Sequence, residues 1–258
     1  MKKYSQFFFV LILLFLPFTA VGGLKVNLKL KHGSFLRFEP VIAYVSVYND
    51  SGDVFIIDKD DKQNKSRLIF IIGRNIDEPV VRINRHPLIE NLRILPDEKQ
   101  NIKLNIAGWY DIKAMGRYFV KAVIKWNGKT IESNNTMINI VSGIEITNVS
   151  KEAPGHPDSI RKYSLRYWPR EKKEYLFLCV NDEMSGINYG VFSLGSLVRV
   201  SKPAIKIDRS GNIKILHQSG INCYTLSAFK SFPDKVCFID QNYQLQNGAP
   251  YPFATKEK

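Results

Sequence analysis

The sequence WYDIKAMGRYFVKAVIKW, residues 109–126, decides the fold of the first half of the chain. It predicts a turn over residues 111–116, which end in Gly116, followed by a long β-strand over residues 118–126. One face of that strand is expected to pack into a core while the other faces water. The packing face carries Val120, Ala122, Ile124 and Trp126, and the solvated face carries Phe119, Lys121 and Lys125.

Alternating strands are predicted on both sides of this stretch. Upstream, residues 24–31 read LKVNLKLK, an apolar–polar alternation typical of a strand with one buried face. Residues 41–48 and 102–106 predict two more strands of the same kind. Downstream, Asn127 and Gly128 are a strong signal for a tight hairpin, because a type I′ turn requires positive φ at both central positions. With a further strand over residues 136–141, the pattern predicts an antiparallel sandwich.

Several short motifs in this half resemble immunoglobulin-like β-sandwich domains of exported bacterial proteins. They are Glu39-Pro40-Val41 before a strand that ends in Asn-Asp-Ser-Gly, then Trp-Tyr-Asp-Ile, and then Gly116-Arg117-Tyr118. The resemblance covers residues 24–143 and implies a tyrosine corner, in which the Tyr118 hydroxyl bonds back to the preceding loop. The paired cysteines of antibody domains do not occur here, and the fold leaves function open because it hosts many unrelated roles.

The second half of the chain predicts another β-rich domain. Residues 144–160 contain two prolines and one glycine close together and are predicted to be a linker. Residues 161–245 contain short apolar runs separated by turn residues, which is typical of an all-β domain. Residues 246–258 are predicted to be a loosely ordered tail. The predicted fold class is all-β: an N-terminal immunoglobulin-like antiparallel sandwich, residues 23–143, followed by a second small β-rich domain.

The N-terminus has the features of a cleavable signal peptide over residues 1–22. Lys2 and Lys3 precede an apolar run over residues 7–17, and Ala20 and Gly22 are small residues suited to cleavage. The run is shorter than the ~20 residues that span a bilayer, so no transmembrane segment is expected after cleavage. The sequence therefore predicts an exported protein, either periplasmic or extracellular.

The formal net charge of +13 favours an anionic partner. For an exported protein this means anionic envelope polymers, or another exported protein, and not nucleic acid. The most basic window, RKYSLRYWPREKK over residues 161–173, interleaves cations with aromatic rings. Arginine supplies forked donors and the rings supply stacking faces, although an ordinary strand with surface charge is the alternative. The candidate anion-binding residues are Arg166, Tyr167, Trp168, Arg170, Lys172 and Lys173.

The three cysteines, Cys179, Cys223 and Cys237, all lie in the second half. Export permits a disulfide bond, and Cys223 with Cys237 is the candidate pair because the two are close in sequence and on strands expected to be adjacent. Any pairing leaves one thiol over. The alternative is three small buried side chains with no bridge.

No catalytic, metal or cofactor site is predicted. None of the four histidines occurs in a paired metal-binding spacing, and the chain has no nucleophile elbow, phosphate loop or dinucleotide fingerprint. The favoured function is an exported non-enzymatic binding or structural protein that acts at the cell envelope or outside it. One alternative is an exported hydrolase with a site in the C-terminal β domain, built from Asp208, His217 or a cysteine such as Cys179. Another is an accessory subunit that docks by an open sheet edge.

Overall fold

The computed structural model of the protein describes residues 22–60, 66–74 and 78–245. These residues form an all-β structure of several antiparallel sheets, and the one helical element among them is a 3-10 turn at Ile106–Gly108. The predicted all-β class is confirmed. The predicted tail, and the predicted signal peptide apart from Gly22, lie outside the described residues.

Ten strands build the first half of the chain: β1 (Leu24–Leu30), β2 (Ser34–Leu36), β3 (Ile42–Asn49), β4 (Phe55–Asp58), β5 (Arg67–Gly73), β6 (Asn91–Ile94), β7 (Lys99–Asn105), β8 (Gly116–Trp126), β9 (Lys129–Glu132) and β10 (Thr136–Val141). One sheet has the order β1-β3-β7, a larger one has the order β2-β10-β8-β5 with β9 beside β8, and β4 pairs with β6. Paired strands are antiparallel except β2 and β10, which run parallel.

Strand β8, which contains most of the stretch that decides the fold, lies inside the larger sheet between β5 and β10. Val120, Ala122 and Ile124 are buried in its core face, as the alternation predicted. The three-stranded sheet contributes its inner face to the same core through side chains such as Leu28 and Val45. The first half is therefore held together by apolar side chains from two sheets.

Two tyrosine hydroxyls form hydrogen bonds that stabilise β8 and the loop before it. The Tyr118 hydroxyl donates to the carbonyl oxygen of Ala114 at 2.7 Å, which is the bond back to the preceding loop that the tyrosine-corner prediction requires. The hydroxyl of Tyr110 accepts a hydrogen bond from the backbone N–H of Phe70 at 2.9 Å. Both rings are buried, and these bonds offset the cost of burying their polar groups.

Eight strands build the second half: β11 (Ile144–Ala153), β12 (His156–Arg170), β13 (Lys173–Asp182), β14 (Asn188–Leu197), β15 (Ala204–Ile207), β16 (Asn212–Gly220), β17 (Cys223–Ser231) and β18 (Val236–Leu245). They form two four-stranded antiparallel meanders, β11-β12-β13-β14 and β15-β16-β17-β18. Leu165 and Leu178 from the first meander share a buried core with Ile213, Ile215 and Phe229 from the second.

The prediction that residues 144–160 form a linker is wrong. Strand β11 begins at Ile144 and pairs with β12 so that Val149 lies opposite Tyr163. Pro154 and Gly155 form the turn between these strands, where Gly155 has a φ of +76°, and Pro157 is the second residue of β12. Turn residues look alike in a hairpin and in a linker, and only the pairing of the flanking strands separates the two cases.

The two halves contact one another directly. The chain passes from one to the other at Gly143, which has a φ of +68°. A Cβ atom added there would lie 3.2 Å from Leu36 Cδ2, so a larger residue would force the Leu36 side chain to move. Leu36 also forms a small buried cluster with Phe177 and Val191 from the second half. Trp168 extends this contact by donating its indole N–H to the Ser34 hydroxyl at 3.1 Å.

Candidate anion-binding surface

Residues 161–170 of the predicted basic window lie on β12, and its three arginines are all engaged in contacts within the protein. Because side chains of a strand alternate between faces, Arg161 and Arg170 point in opposite directions, and both are buried. Arg170 forms a two-pronged ion pair with Glu39, including a bond of 2.9 Å from Nη1 to Oε1. Its guanidinium also lies 4.7 Å from the ring centre of Phe177. Arg170 is therefore a structural residue, and its assignment as an anion ligand is wrong.

The other members of the window on β12 are also engaged in contacts within the protein. Arg166 is held by Glu145 and by the Ser142 carbonyl, at 2.9 and 3.0 Å. Trp168 is engaged in the contact between the halves. Tyr167 accepts a hydrogen bond from Arg199, whose guanidinium lies 4.5 Å from the ring centre. Lys172 and Lys173 are exposed at the turn that follows β12.

A different basic surface lies on the three-stranded sheet of the first half. Alternation turns the apolar side chains of β1 and β3 inward and leaves polar, basic and aromatic side chains on the outside. We call this surface the lysine–tyrosine face. It consists of Lys25, Asn27 and Lys29 on β1, Tyr44, Ser46 and Tyr48 on β3, and Lys99, Asn101 and Lys103 on β7.

Strand register arranges the charges of the lysine–tyrosine face in two rows. Tyr44 lies between Lys29 and Lys103, and Tyr48 lies between Lys25 and Lys99. Strands in a sheet are about 4.8 Å apart and rise about 3.3 Å per residue. The four lysines therefore stand at the corners of a rectangle of about 10 by 13 Å, with the two tyrosine rings between them.

Carboxylates compensate only part of this charge. Asp50 pairs with Lys25 at 2.5 Å, and that hydrogen bond raises the pKa of the Lys25 ammonium group. Asp97 accepts a hydrogen bond from the Tyr48 hydroxyl at 3.4 Å, and partial desolvation together with that carboxylate raises the pKa of Tyr48. Among the described residues, no carboxylate forms an ion pair with the three remaining corner lysines, which are Lys29, Lys99 and Lys103.

Sequence reasoning did not identify the lysine–tyrosine face, although a local signal exists. Strands β1 and β7 each carry lysines four residues apart, at Lys25 and Lys29 and at Lys99 and Lys103. That spacing places both lysines of a strand on one face. The four lysines form one surface only because β1 and β7 flank β3, which no local pattern specifies.

The predicted disulfide between Cys223 and Cys237 is wrong. The two residues do lie on neighbouring strands, β17 and β18, but at opposite ends of the paired region. Cys223 is opposite Leu245, whereas Cys237 is opposite Lys230, which is seven residues further along β17. The separation along the strand is about 23 Å, far beyond the ~7 Å limit for Cα atoms of a disulfide. All three cysteines are free thiols.

The residues proposed for a hydrolase are not brought together. His217 is 1% exposed, and its Nε2–H donates to the carbonyl oxygen of Ser196 at 3.1 Å. Burial lowers the pKa of His217 to about 4, so the ring is neutral at pH 7. Asp208 instead accepts hydrogen bonds from the backbone N–H and the side-chain amide of Asn212 at the turn before β16, and it is nine residues from His217 in sequence. In the part of the chain that the structure describes, no group of three or more His, Cys, Asp or Glu side chains could hold a metal ion.

Cys179 is separated from His217 as well. It lies on β13 between Leu178 and Val180, which face the core between the two meanders, and so it points to the opposite face. His217 shares its face of β16 with the core residues Ile213 and Ile215. The cysteine and the histidine therefore lie on opposite sides of the first meander and form no nucleophile–base pair.

The chain is thus an all-β protein of several antiparallel sheets. Within residues 22–60, 66–74 and 78–245, no helix has the length and apolar character needed to cross a membrane. No protein-family description matches the chain, and no curated protein matches it. A solved structure with some similarity is that of Spo0M, a sporulation control protein from Bacillus subtilis: it is 13% identical, the match covers 65% of this chain and 83% of that one, and the TM-score is 0.30. A likeness at that level assigns neither a family nor an immunoglobulin-like fold.

Proposed function

We propose that this protein is an exported, non-enzymatic binding protein that recognises anionic polymers through the lysine–tyrosine face. The observation that carries the proposal is the rectangle of Lys25, Lys29, Lys99 and Lys103 around two tyrosine rings. Export is inferred from the N-terminal segment, in which two lysines precede an apolar run. The two β-sandwiches, of which the first resembles immunoglobulin-like domains, serve as the scaffold.

The arrangement suits a long ligand with repeated negative charges. The outward side chains of three adjacent strands form one continuous surface, so a polymer can lie across it. Charges spaced about 10 to 13 Å apart act on several groups of one polymer chain at once. Lysine presents a compact, hydrated ammonium group on a flexible stem, which adapts to charges whose positions are not fixed.

The two tyrosines add a second kind of contact. Tyr44 is 38% exposed, and it lies directly between Lys29 and Lys103. An aromatic ring in that position buries apolar area against the backbone of a bound polymer and keeps its hydroxyl in contact with water. The face therefore combines charge attraction with a limited apolar contact.

The test compares two double charge reversals that change the net charge equally. Lys29→Glu/Lys103→Glu alters the lysine–tyrosine face, and Lys172→Glu/Lys173→Glu alters the exposed pair in the predicted window. Exposed ion pairs contribute about 0.2–1 kcal/mol each. Replacing two attractions by two repulsions of similar size should weaken binding to heparin by about 2 kcal/mol, or roughly 30-fold. Surface plasmon resonance on immobilised heparin measures the affinity.

The salt dependence gives an independent readout. Each cation that neutralises a polymer charge releases bound counterions, so the slope of log K against log salt concentration should decrease by roughly 1.5 in Lys29→Glu/Lys103→Glu. The Lys172→Glu/Lys173→Glu variant should keep the wild-type slope. Equal losses of affinity in both variants would mean that heparin responds only to net charge, and the proposed site would be wrong.

A further inference from the structure

A cavity of about 420 Å³ lies between the two halves of the chain. Its walls come from the loop after β2, the turn before β8 and the end of β10 on one side, and from β12, β13 and β14 on the other. Its lining includes Arg37, Phe38 and Met115 from the first half and Arg166, Cys179 and Val191 from the second. Its size falls within the ~300–1,000 Å³ that is usual for sites of small ligands, which often lie where domains meet.

The cavity has an apolar floor. Val191 belongs to the buried cluster at the contact between the halves, and the partly buried side chains of Phe38 and Cys179 pack against that cluster. Burial raises the pKa of the Cys179 thiol to about 12, so this side chain carries no charge at neutral pH. Met115, which is 53% exposed, adds a flexible apolar side chain at the rim.

Both charged side chains in the lining are arginines. Arg166 is anchored by Ser142 and Glu145, and its Nε atom is buried without a hydrogen-bond partner in the described part of the chain. Arg37 is exposed, and its guanidinium lies 4.7 Å from the ring centre of Phe38. No described carboxylate pairs with Arg37, so its charge is available to a ligand.

The loop that presents Arg37 and Phe38 is held in place from both ends. Phe38 has a φ of +69°, a conformation that a bulky side chain adopts only when its surroundings enforce it. Glu39, the next residue, accepts a hydrogen bond from the Leu36 backbone N–H at 2.8 Å and pairs with the buried Arg170. The strained loop is thus fixed, and its arginine and aromatic ring are preorganised at the mouth of the cavity.

We infer that the cavity binds a small amphipathic anion, with its carboxylate or phosphate group at Arg37 and Arg166 and its apolar body against Phe38, Met115 and Val191. Arg37, which pairs with no described carboxylate, selects the negative charge, and Arg166 adds its unpartnered Nε–H although Glu145 already holds another nitrogen of its guanidinium. The apolar floor accepts the rest of the ligand. This site is separate from the lysine–tyrosine face, so it goes beyond the proposed recognition of polymers.

Isothermal titration with three probes tests the inference. Octanoate has the charge and the apolar body, octanol has only the body, and acetate has only the charge. Octanoate should bind once per chain, octanol should bind at least about 10-fold more weakly because it lacks the charge-assisted hydrogen bonds, and acetate should give no measurable binding because it lacks the apolar body. Acetate binding as tight as octanoate would overturn the inference, and so would the absence of saturable octanoate binding.

Variants locate the site. Arg37→Gln should weaken octanoate binding about 10-fold, and Met115→Glu should weaken it further by placing a negative charge at the rim. Matched controls are Arg93→Gln and Met137→Glu, two exposed positions outside the cavity, which should bind octanoate as the wild type does. Wild-type affinity in Arg37→Gln would refute the site. The Lys29→Glu/Lys103→Glu variant should bind octanoate normally, so the two proposals can fail separately.

Discussion

Replacing Arg170 by Met should destabilise the protein strongly, because the substitution leaves a buried carboxylate without its cation. The side chains of Arg170 and Glu39 are 3% and 9% exposed, and the pair joins the second half of the chain to the loop after β2. Removing one partner of a buried ion pair typically costs about 3–5 kcal/mol. Met retains most of the apolar stem that packs near Phe177, so the loss is one of charge and hydrogen bonds and not of volume.

A second substitution separates this mechanism from general damage. In Arg170→Met/Glu39→Gln the buried charge is gone, and the Gln carbonyl still accepts the hydrogen bond from the Leu36 backbone N–H that Glu39 now accepts. The double variant should therefore be about 2 kcal/mol more stable than Arg170→Met alone, although it carries one more substitution.

Urea unfolding at pH 7, followed by tryptophan fluorescence, measures these differences. Trp168 lies at the contact between the halves and reports on its loss. A cost below about 1 kcal/mol for Arg170→Met, or a double variant no more stable than the single one, would refute the account of the buried pair. Heparin affinity should be unchanged in folded Arg170→Met, which contrasts with the expectation for an anion-binding residue.

Two further predictions concern buried polar groups. Since His217 has a pKa of about 4 in the folded protein and about 6.5 when unfolded, the unfolded chain binds a proton first as the pH falls. His217 should therefore lower the unfolding free energy by up to about 3 kcal/mol between pH 6.5 and 4. Urea unfolding should show the same total loss in the wild type and in the exposed-site control His86→Gln, and a loss smaller by that amount in His217→Gln, where other groups such as His32 still contribute. Parallel curves in all three would contradict it. Tyr118→Phe removes the 2.7 Å bond to Ala114 and should cost about 1 kcal/mol in the same assay, whereas Tyr44→Phe, on the exposed face, should cost nothing measurable; equal stability of the two variants would argue against a role for the Tyr118 bond.

Features with a short-range cause could be predicted from the sequence. The alternation around Val120 and Ile124 identified both β8 and its buried face, since side-chain period alone decides which residues of a strand share a face. The bond from Tyr118 to Ala114 spans four residues, and a short motif was enough to indicate it. These features depend on neighbours in sequence and do not require knowledge of the topology.

Features with a long-range cause were missed or assigned wrongly. The sequence predicts a surface position for Arg170 because its partner, Glu39, is 131 residues away and leaves no local signal. The lysine–tyrosine face depends on β1 and β7 both pairing with β3, which no local pattern specifies. The disulfide prediction is wrong for a related reason. The sequence indicates that β17 and β18 are adjacent, but it does not indicate the strand register, which places Cys223 and Cys237 at opposite ends of the pair.

The distribution of the basic side chains follows from the chemistry of arginine and lysine. Arg161 is 0% exposed, donates to the Ser231 hydroxyl at 2.8 Å and to backbone carbonyls, and lies 3.7 Å from the ring centre of Tyr189. A guanidinium tolerates such a site because its planar fork satisfies several acceptors and its faces are weakly hydrated.

An ammonium group is strongly hydrated, so the lysines of β1 and β7 remain on the surface. An arginine-rich strand with interleaved aromatic residues is consequently a poor indicator of an anion-binding surface in a β-sandwich, because each of its arginines can instead bond to acceptors within the protein. Lysines spaced two or four residues apart along alternating strands are a better indicator, since their charge stays on the solvent side of the sheet and remains available to a partner.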